Sequence, residues 1–134
     1  MQLSASADYA LRIMHYIYAH KGLVRGSDIS EAVGITYAYF QKIAQQLKQH
    51  GLLTTEQGRN GGYRLTRPAR EISVYDVVSV IQGELFVIRE QQTSRYHSHQ
   101  AVALAIQAHF RQLQATLVEQ MSRISIADLH APEK

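Results

Sequence analysis

The sequence predicts a mostly α-helical fold with one small β-hairpin, arranged as a winged helix-turn-helix domain followed by a long C-terminal helix. Two helical patterns separated by a tight turn span residues 27–49, and two β-rich runs around a Gly/Asn turn follow them. Residues 99–124 then carry one long helical pattern. We therefore expect a winged domain over residues 1–82, a sensor or linker loop over 83–98, and a dimerisation helix with a C-terminal arm over 99–134.

The first helix is expected over residues 4–20. Ser4 suits the N-cap, because its hydroxyl can accept a hydrogen bond from a free backbone N–H of the first turn. Apolar residues recur at helical spacing from Ala7 to Tyr18, which predicts one buried face. Asp8 and Arg12 lie one turn apart on another face, where an ion pair between them is expected.

Two further helices should follow, at about residues 27–33 and at 37–49. Ser27 is the candidate cap of the second helix and Thr36 that of the third, which Gly51 closes. The third helix has an apolar face and an opposite face that carries amides and lysines but no acid: Ala38, Gln41, Lys42, Gln45, Lys48 and Gln49. Because a solvated helix face usually mixes both charge signs, this face favours contact with an anionic surface.

The wing is predicted from the runs "LLTTE" and "YRLTR" on either side of "QGRNGG". Glycines at 58, 61 and 62 permit positive φ angles and a close approach of the backbone. Arg59 stands at the apex, where it cannot contribute to a core. An arginine so placed can enter a narrow DNA minor groove, where the negative potential is concentrated.

Positive charge is concentrated in residues 36–70, which hold six Lys or Arg residues and one acid, Glu56, whereas the whole 134-residue chain has a net charge of +3. The rest of the chain is therefore net negative. A basic face on such a body is typical of a protein that binds a polyanion.

The third helix and the wing supply the predicted DNA-binding residues. Base or groove reading is expected from Tyr37, Ala38, Tyr39, Gln41, Gln45, Arg59 and Asn60. Affinity for the phosphate backbone is expected from Lys42, Lys48, Arg64 and Arg67. Gln41 in particular can make a bidentate contact with adenine.

The long C-terminal pattern predicts a seam of apolar residues close to a heptad repeat. Its members are Val102, Ile106, Phe110, Leu113, Leu117 and Met121, followed by Ile124. The seam could cover an intramolecular core or join two copies of the chain. Homodimerisation is favoured, because the pattern is long and lies outside the compact winged domain.

The chain contains no cysteine. Disulfides, thiolate catalysis and thiolate metal sites are therefore excluded, and the composition fits a cytoplasmic protein. There is no apolar run of transmembrane length, so no membrane association is expected. The sequence also lacks a nucleophile elbow, a phosphate-binding glycine loop and a paired-carboxylate motif, so an enzyme is not predicted.

Several motifs together resemble one family of regulators. They are "MQLSASADYALRIMHYI", "SDISEAVGIT", "YFQKIAQQLKQHGLL", "GRNGGYRL", "EISVYDVVSVIQG" and "ISIADL". The sequence is similar to the bacterial winged-helix regulators that include the iron–sulfur-cluster assembly regulator, the nitric-oxide-sensing repressor and the cysteine-metabolism repressor. The resemblance implies a homodimeric transcription factor, most often a repressor, that reads a palindromic operator with its third helix in the major groove and its wing in the minor groove.

The sequence departs from that family at the sensing site. The resemblance implies three cysteines between the winged domain and the long helix, at positions near Thr93, Ser98 and Leu104. The nitric-oxide-sensing branch, which the opening and the wing resemble most, further implies a carboxylate from the partner's first helix, and Asp8 matches that position. Because every thiolate is missing, a cysteine-ligated iron–sulfur cluster is not expected.

Three alternatives remain for the signal and the function. If the loop is extended, His97 and His99 point the same way and, with Asp8, form a nitrogen and oxygen set suited to ferrous iron, zinc, manganese or haem. A small organic ligand could instead bind among the aromatic residues Tyr9, Tyr16, Tyr18, Tyr75, Phe86 and Tyr96. The chain could also be a winged-helix protein–protein interaction module that has lost DNA binding.

Overall fold

The computed structural model describes residues 2–85 and 97–130, with the side chains of the second segment described from residue 100 onward. The helices are α1 (Ala5–Ala19), α2 (Gly26–Val33), α3 (Tyr37–Gln49), α4 (Val74–Gln82) and α5 (His97–Arg123). The strands β1 (Leu53–Glu56) and β2 (Gly62–Leu65) form an antiparallel hairpin, and short 3-10 turns lie at Ala69–Glu71 and Ile126–Asp128. The predicted fold class is confirmed: a mostly helical winged domain with one hairpin and a long C-terminal helix.

Two of the predicted helix caps are present and one is wrong. The hydroxyl of Ser4 accepts the N–H of Ala7 at 3.1 Å, and that of Thr36 accepts the N–H of Tyr39 at 3.2 Å. Ser27 does not cap α2, because the helix begins one residue earlier, at Gly26, and Arg25 stands at the N-cap without a side-chain hydrogen bond.

The early start of α2 follows from a backbone contact with the wing. The N–H of Val24 donates to the carbonyl of Tyr63 at 2.9 Å, and the N–H of Tyr63 donates back to the carbonyl of Val24 at 2.7 Å. Val24 thus pairs with the edge of the hairpin through one isolated β-bridge. This pairing ends at Val24, so the chain is free to turn into α2 two residues later.

One apolar core holds the winged domain together. Ile13, Met14 and Ile17 of α1 are buried in it with Phe40 and Leu47 of α3. The residues of α1 recur at the helical spacing that the sequence predicted. Because α1 packs on α2, α3, α4 and the wing, it fixes the orientation of the elements that form the basic face.

The C-terminal residues 124–129, here called the clasp, pack back onto the winged domain. The N–H of Val74 donates to the carbonyl of Ile124 at 2.7 Å, and the N–H of Ile126 donates to the carbonyl of Ile72 at 2.8 Å. The side chain of Ile126 is fully buried in the core of the winged domain. The sequence analysis had assigned these residues to a C-terminal arm.

The clasp and the start of α4 carry the same sequence pattern. "ISVYD" at 72–76 pairs antiparallel with "ISIAD" at 124–128 through a bridge between Ser73 and Ser125. Each segment ends in a capping box, formed by Ser73 with Asp76 and by Ser125 with Asp128. The bridge joins the end of α5 to the winged domain through two backbone hydrogen bonds and one buried side chain.

We expect the Asp128 carboxylate to make the clasp sensitive to acid. Hydrogen bonds first from the Ser125 backbone N–H and then from its hydroxyl lower the pKa of Asp128. A group whose pKa is lowered on folding contributes stability above its unfolded pKa, and that contribution disappears as the pH falls through the folded value. Asp128→Ala should therefore lower the Tm at neutral pH and by progressively less as the pH falls below about 4. Thermal melts of both proteins across pH test this, and a difference in Tm that does not shrink as the pH falls would contradict it.

The last turns of α5 pack within the chain. Leu117, Val118 and Met121 contact a small apolar cluster that contains Ala7 and Val78.

No helix in residues 2–85 or 97–130 is both long and apolar enough to cross a membrane.

Candidate nucleic-acid interface

Three aromatic rings join the elements that form the basic face. The ring of Phe40 lies 5.1 Å from that of Tyr63 on the wing and 5.9 Å from that of Tyr37 at the start of α3. Gly26 packs among all three, and a Cβ atom there would approach Phe40 Cε1 to 2.9 Å. Only glycine fits without a shift of the rings, so the start of α2, the start of α3 and the wing form one packed unit.

The exposed face of α3 carries the predicted reading residues. At 3.6 residues per turn, these side chains fall within an arc of roughly 140° around the helix. Phe40, Ile43, Ala44 and Leu47 are buried on the opposite side. The exposed residues of the arc are Tyr37, Ala38, Gln41, Lys42, Gln45, Lys48 and Gln49. The amides and both lysines are thus presented together, as the sequence predicted.

Tyr39 lies outside that arc, apart from the other predicted reading residues of α3. Its hydroxyl is 2.8 Å from the hydroxyl of Ser6, and its ring packs edge-on against Tyr9 with centroids 6.0 Å apart. Tyr39 follows Tyr37 by two positions, which rotates it to the side of α3 that contacts α1. Its contacts are those of a packing residue between the two helices.

A tight turn presents Arg59 and Asn60 at the tip of the wing. The N–H of Gly61 donates to the carbonyl of Gly58 at 3.0 Å, so Arg59 and Asn60 are the central residues of a four-residue turn. Gly58 has a φ of 105°, which favours glycine. A Cβ atom on Gly61 would collide with the carbonyl oxygen of Glu56. Arg59 and Asn60 are both exposed.

A polar groove of about 360 Å³ lies between α3, the wing and the start of α2. Its lining includes four residues that the sequence analysis did not select: Arg25, Ser27, Thr55 and Gln57. Burial, and then the nearby Tyr37, raise the pKa of Tyr63, so its hydroxyl in the groove remains a hydrogen-bond donor at neutral pH. Tertiary contact between the start of α2 and β2 brings these residues together, and sequence spacing alone carries no signal of it.

Two of the predicted phosphate-binding arginines are already paired. Arg64 lies 3.3 Å from Glu56 on the adjacent strand, and Arg67 lies 3.3 Å from Asp76 at the start of α4. Arg67 also donates from Nε to the carbonyl of Glu71 at 3.2 Å. These exposed pairs are weak, so both cations still contribute to the local potential, although Arg67 has a structural role as well.

The remaining cations of this face have no carboxylate partner in the described part of the chain. They are Arg25, Lys42, Lys48 and Arg59, and all four side chains are exposed. Across residues 2–85 and 97–130, the ion pairs of the basic residues from 36 to 70 are those of Arg64 and Arg67. The surface around the groove therefore keeps an unpaired positive charge, as an interface with phosphates requires.

Asp8, the candidate metal ligand of α1, is bound to a cation of its own helix. Arg12 donates to both of its carboxylate oxygens, at 3.0 and 3.1 Å. The hydrogen bond and the charge of Asp8 raise the pKa of Arg12. The predicted Asp8–Arg12 ion pair is thus present. In the described part of the chain, no group of three His, Asp or Glu side chains is arranged to hold a metal ion.

The other two candidate ligands begin a helix, and the extended loop assumed for them is wrong. α5 starts at His97, two residues before the predicted start, so the backbones of His97 and His99 are helical. Positions two apart in a helix do not face the same way. The side chains of His97 and His99 lie outside the described residues, as do Thr93, Phe86 and Tyr96.

The predicted aromatic ligand pocket is divided in the described part of the chain. Tyr9 packs against Tyr39 of α3, and Tyr16 stacks on His20 with ring centroids 3.9 Å apart. Tyr16 and Tyr18 line two different clefts. Tyr9 and Tyr16 thus pack against the core, Tyr18 is exposed, and the three do not surround one cavity.

The predicted seam of α5 divides into an exposed part and a packed part. Val102, Ile106, Phe110 and Leu113 leave 56%, 54%, 46% and 56% of their surfaces exposed. Leu117 and Met121 are partly buried against the winged domain of the same chain. An exposed row of apolar side chains of this size is typical of an interaction surface.

Comparisons with known proteins agree with this geometry. A profile of the Rrf2 family, described as an iron-dependent transcriptional regulator, matches residues 3–132. The chain is 42% identical over 83 residues to the protein aau3 of Rhizobium meliloti, an alignment that covers 61% of this chain and 54% of that protein. It is 37% identical over 92 residues to a Mycobacterium tuberculosis protein named as an HTH-type transcriptional regulator, covering 67% of this chain and 57% of that protein. The chain thus spans little more than half the length of either relative.

Solved structures share the fold. CymR, the global cysteine regulator of B. subtilis, superposes with a TM-score of 0.75 at 18% identity, over 96% of this chain and 95% of that one. IscR of T. potens superposes with a TM-score of 0.69 at 22% identity, over 99% of this chain and 94% of that one. At these identities the similarity establishes the arrangement of the helices and the wing.

Proposed function

Since the chain belongs to the Rrf2 family of transcriptional regulators, we propose that it is a homodimeric, sequence-specific DNA-binding repressor that acts on a palindromic operator in the cytoplasm. The observation that carries the proposal is the packed unit of α2, α3 and wing, which presents an acid-free helix face beside an arginine-tipped turn. Its family is one of transcriptional regulators and not of enzymes.

In this proposal α3 lies in the major groove. Gln41 and Gln45 project from one face of the helix and are exposed. A glutamine side chain can pair with the N6 and N7 atoms of adenine, which distinguishes A·T from the other base pairs. Lys42 and Lys48 on the same exposed arc then contact the flanking phosphates. The start of α2, with Arg25 and Ser27, adjoins the same groove and contributes further backbone contacts.

The wing lies in the adjacent minor groove. Its tip is narrow, because Gly58, Gly61 and Gly62 allow a tight turn without side chains on its flanks. Arg59 therefore has room to enter a narrow groove, where the negative potential is strongest. Asn60 beside it can accept and donate hydrogen bonds at the base edges.

The general proposal is tested by a salt titration. Fluorescence anisotropy with a labelled random duplex should show that the logarithm of the binding constant falls steeply and linearly with the logarithm of the salt concentration. Such a slope reports the release of counterions from phosphates. A slope near zero would overturn the proposal and favour a protein–protein interaction module that has lost DNA binding.

Arg59→Ala should weaken binding to the cognate operator by about 1–3 kcal/mol and binding to random DNA by less. The fold should not change, because Arg59 is exposed at the tip and has no carboxylate partner among the described residues. Anisotropy titrations on both duplexes measure the two effects, with Arg111→Ala on the exposed surface of α5 as the matched control. Equal weakening on both duplexes would mean that Arg59 contacts only phosphate.

We further propose that the signal is received without a cysteine-ligated cluster. The family description implies iron. The donor set of this chain does not fit an iron–sulfur cluster, because such clusters are held mainly by thiolates and the sequence has no cysteine. A metal or haem held by this chain would need imidazole or carboxylate ligands, of which Asp8, His97 and His99 are the candidates.

The double variant His97→Ala with His99→Ala tests those ligands. If they bind an effector, DNA affinity of the wild type should change by about tenfold on addition of ferrous iron, zinc or haem, and the variant should not respond. Neutral imidazole is required for ligation, so the response should weaken as the pH falls below about 6.5. A wild type that ignores all three additions would remove the metal hypothesis. Iron and inorganic sulfide in stoichiometric amounts after anaerobic purification would overturn the proposal as a whole.

A further inference from the structure

A second cleft lies at the base of the wing, and of the predicted DNA-binding residues only Arg64 and Arg67 border it. This cleft, here called the wing-base cleft, is bounded by the C-terminal end of α1, by residues 64–70 at the end of β2 and just after it, and by the clasp. It has a volume of about 600 Å³. Pockets for small organic ligands commonly have volumes of about 300–1,000 Å³, so the cleft is large enough for one.

The floor of the wing-base cleft is apolar. Ile17 of α1, Leu65 of β2 and Ala127 of the clasp meet there with Pro68 and Ala69. Ile17 and Ala69 belong to the core of the winged domain, so the floor is held in place by core packing. An apolar floor that is open to solvent is covered favourably by the apolar part of a ligand.

The rim of the cleft is cationic. Lys21, Arg64, Arg67 and Arg70 line it beside the ring of Tyr18. None of the described residues that line the cleft is acidic. Positive charge above an apolar floor selects ligands that combine one anionic group with an apolar body.

Two of the four rim cations are available for such a group. Arg64 and Arg67 are paired with Glu56 and Asp76, which lie outside the cleft. For Lys21 and Arg70, no carboxylate lies within ion-pair distance in the part of the chain that the structure describes. Arg70 offers the planar fork of donors that matches a carboxylate.

The backbone at Lys21 sets the position of this cation. Lys21 has a φ of 44° and is the single non-glycine residue with a positive φ in the described part of the chain. A left-handed residue directly after the C-cap commonly ends a helix, and Lys21 follows His20, the C-cap of α1. The conformation turns the chain at the end of α1 and places the ammonium-bearing residue at the rim.

From these observations we propose that the wing-base cleft binds a small amphipathic organic anion, a carboxylate with an apolar chain or ring. The carboxylate pairs with Arg70 and Lys21, and the apolar body covers the floor of Leu65 and Ala127. A DNA phosphate fits less well, because it offers no apolar surface to cover that floor. An occupant would contact α1, the base of the wing and the clasp at once.

Isothermal titration of the purified dimer with decanoate tests the proposal. Decyltrimethylammonium, with the same chain and the opposite charge, and inorganic phosphate, with charge but no chain, are the matched ligands. Decanoate should bind, and the other two ligands should bind at least about tenfold more weakly. Decyltrimethylammonium loses the charge-assisted hydrogen bond, and phosphate loses the apolar contact.

Variants locate the site. Arg70→Gln and Lys21→Gln should each weaken decanoate binding by about tenfold, whereas Arg111→Gln on α5 should leave it unchanged. Ala127→Phe should block the floor without altering the charge. Amide NMR spectra should show shifts at Tyr18, Leu65 and Ala127 when decanoate is added, and thermal melts of each variant check that it is folded.

Three results would each overturn the site: no decanoate binding by the wild type, equal binding of decyltrimethylammonium, or NMR shifts confined to α5. If phosphate binds as tightly as decanoate, the cleft is a simple anion site, and the assignment of an organic ligand is wrong. None of these measurements contains DNA, so their failure leaves the proposed function to its own salt titration.

Discussion

Replacing Ile106 and Leu113 with glutamate should convert the protein to monomers and weaken operator binding by about a hundredfold or more. The two side chains lie one heptad apart on the exposed apolar row of α5 and are each more than half exposed. In the proposed dimer they would be covered by the partner helix, where two buried charges cannot be solvated. Sedimentation velocity measures the oligomeric state, and anisotropy on a palindromic duplex measures binding.

The loss of operator binding follows from geometry. Two recognition helices must reach half-sites about 34–36 Å apart, and a monomer can occupy only one of them at a time. The matched control is Ala108→Glu with Ala115→Glu, which places the same charges one heptad apart on exposed positions of the same helix, about 200° around it. That control should remain dimeric. A charged Ile106 and Leu113 variant that also remains dimeric would place the interface elsewhere.

Leu117 was part of the predicted seam and is a poor choice for this test. Its side chain packs against the winged domain of its own chain, so a charge there would destabilise the monomer as well. The heptad pattern could not separate contact with a partner from packing within the chain, because apolar residues recur at the same spacing in both cases. The division appears only when the clasp brings the end of α5 onto α4.

The local features of the DNA-binding domain could be predicted from the sequence because they depend on short-range chemistry. The caps at Ser4 and Thr36 need only one hydroxyl and the next turn of helix. The tip of the wing needs only glycines at the required positions. Arg25 was missed because its place beside α3 depends on the pairing of Val24 with Tyr63, 39 residues away in sequence.

For Tyr39, helical spacing alone is enough to give the side of α3 on which the residue lies. It was assigned to the reading face with Tyr37, although two positions correspond to about 200° of rotation. A count of angles around α3 would have separated the two residues, with no need for the structure. The start of α5 was misplaced for a different reason, because a run of polar residues at 97–99 is compatible both with a loop and with the first turn of a helix.

The clasp had a signal in the sequence that was not used. "ISVYD" and "ISIAD" share an isoleucine, a serine and an aspartate at the same spacing. Each segment has an extended backbone at the serine that begins its capping box. The two extended serines, Ser73 and Ser125, pair antiparallel. The pattern explains why residues beyond α5 belong to the core of the winged domain.

Ile126→Ala should cost about 2–5 kcal/mol of unfolding free energy, a large fraction of the stability of a domain of this size. The side chain is fully buried with Ile72 in the core of the winged domain, so its removal leaves a cavity in that core. Urea unfolding at one fixed protein concentration measures the effect, because the stability of a dimer depends on concentration. Ile124→Ala is the matched control two residues away, since Ile124 is 42% exposed and only its carbonyl joins the bridge.

That control should lose less than about 1 kcal/mol, because little apolar surface is returned to water when a half-exposed side chain is shortened. A large effect of Ile126→Ala together with a small effect of Ile124→Ala would mean that the clasp stabilises the winged domain through one buried side chain. Equal effects would contradict that role and leave the two backbone hydrogen bonds as the main connection. The clasp would then hold the end of α5, which carries the proposed dimer face, to the core of the winged domain.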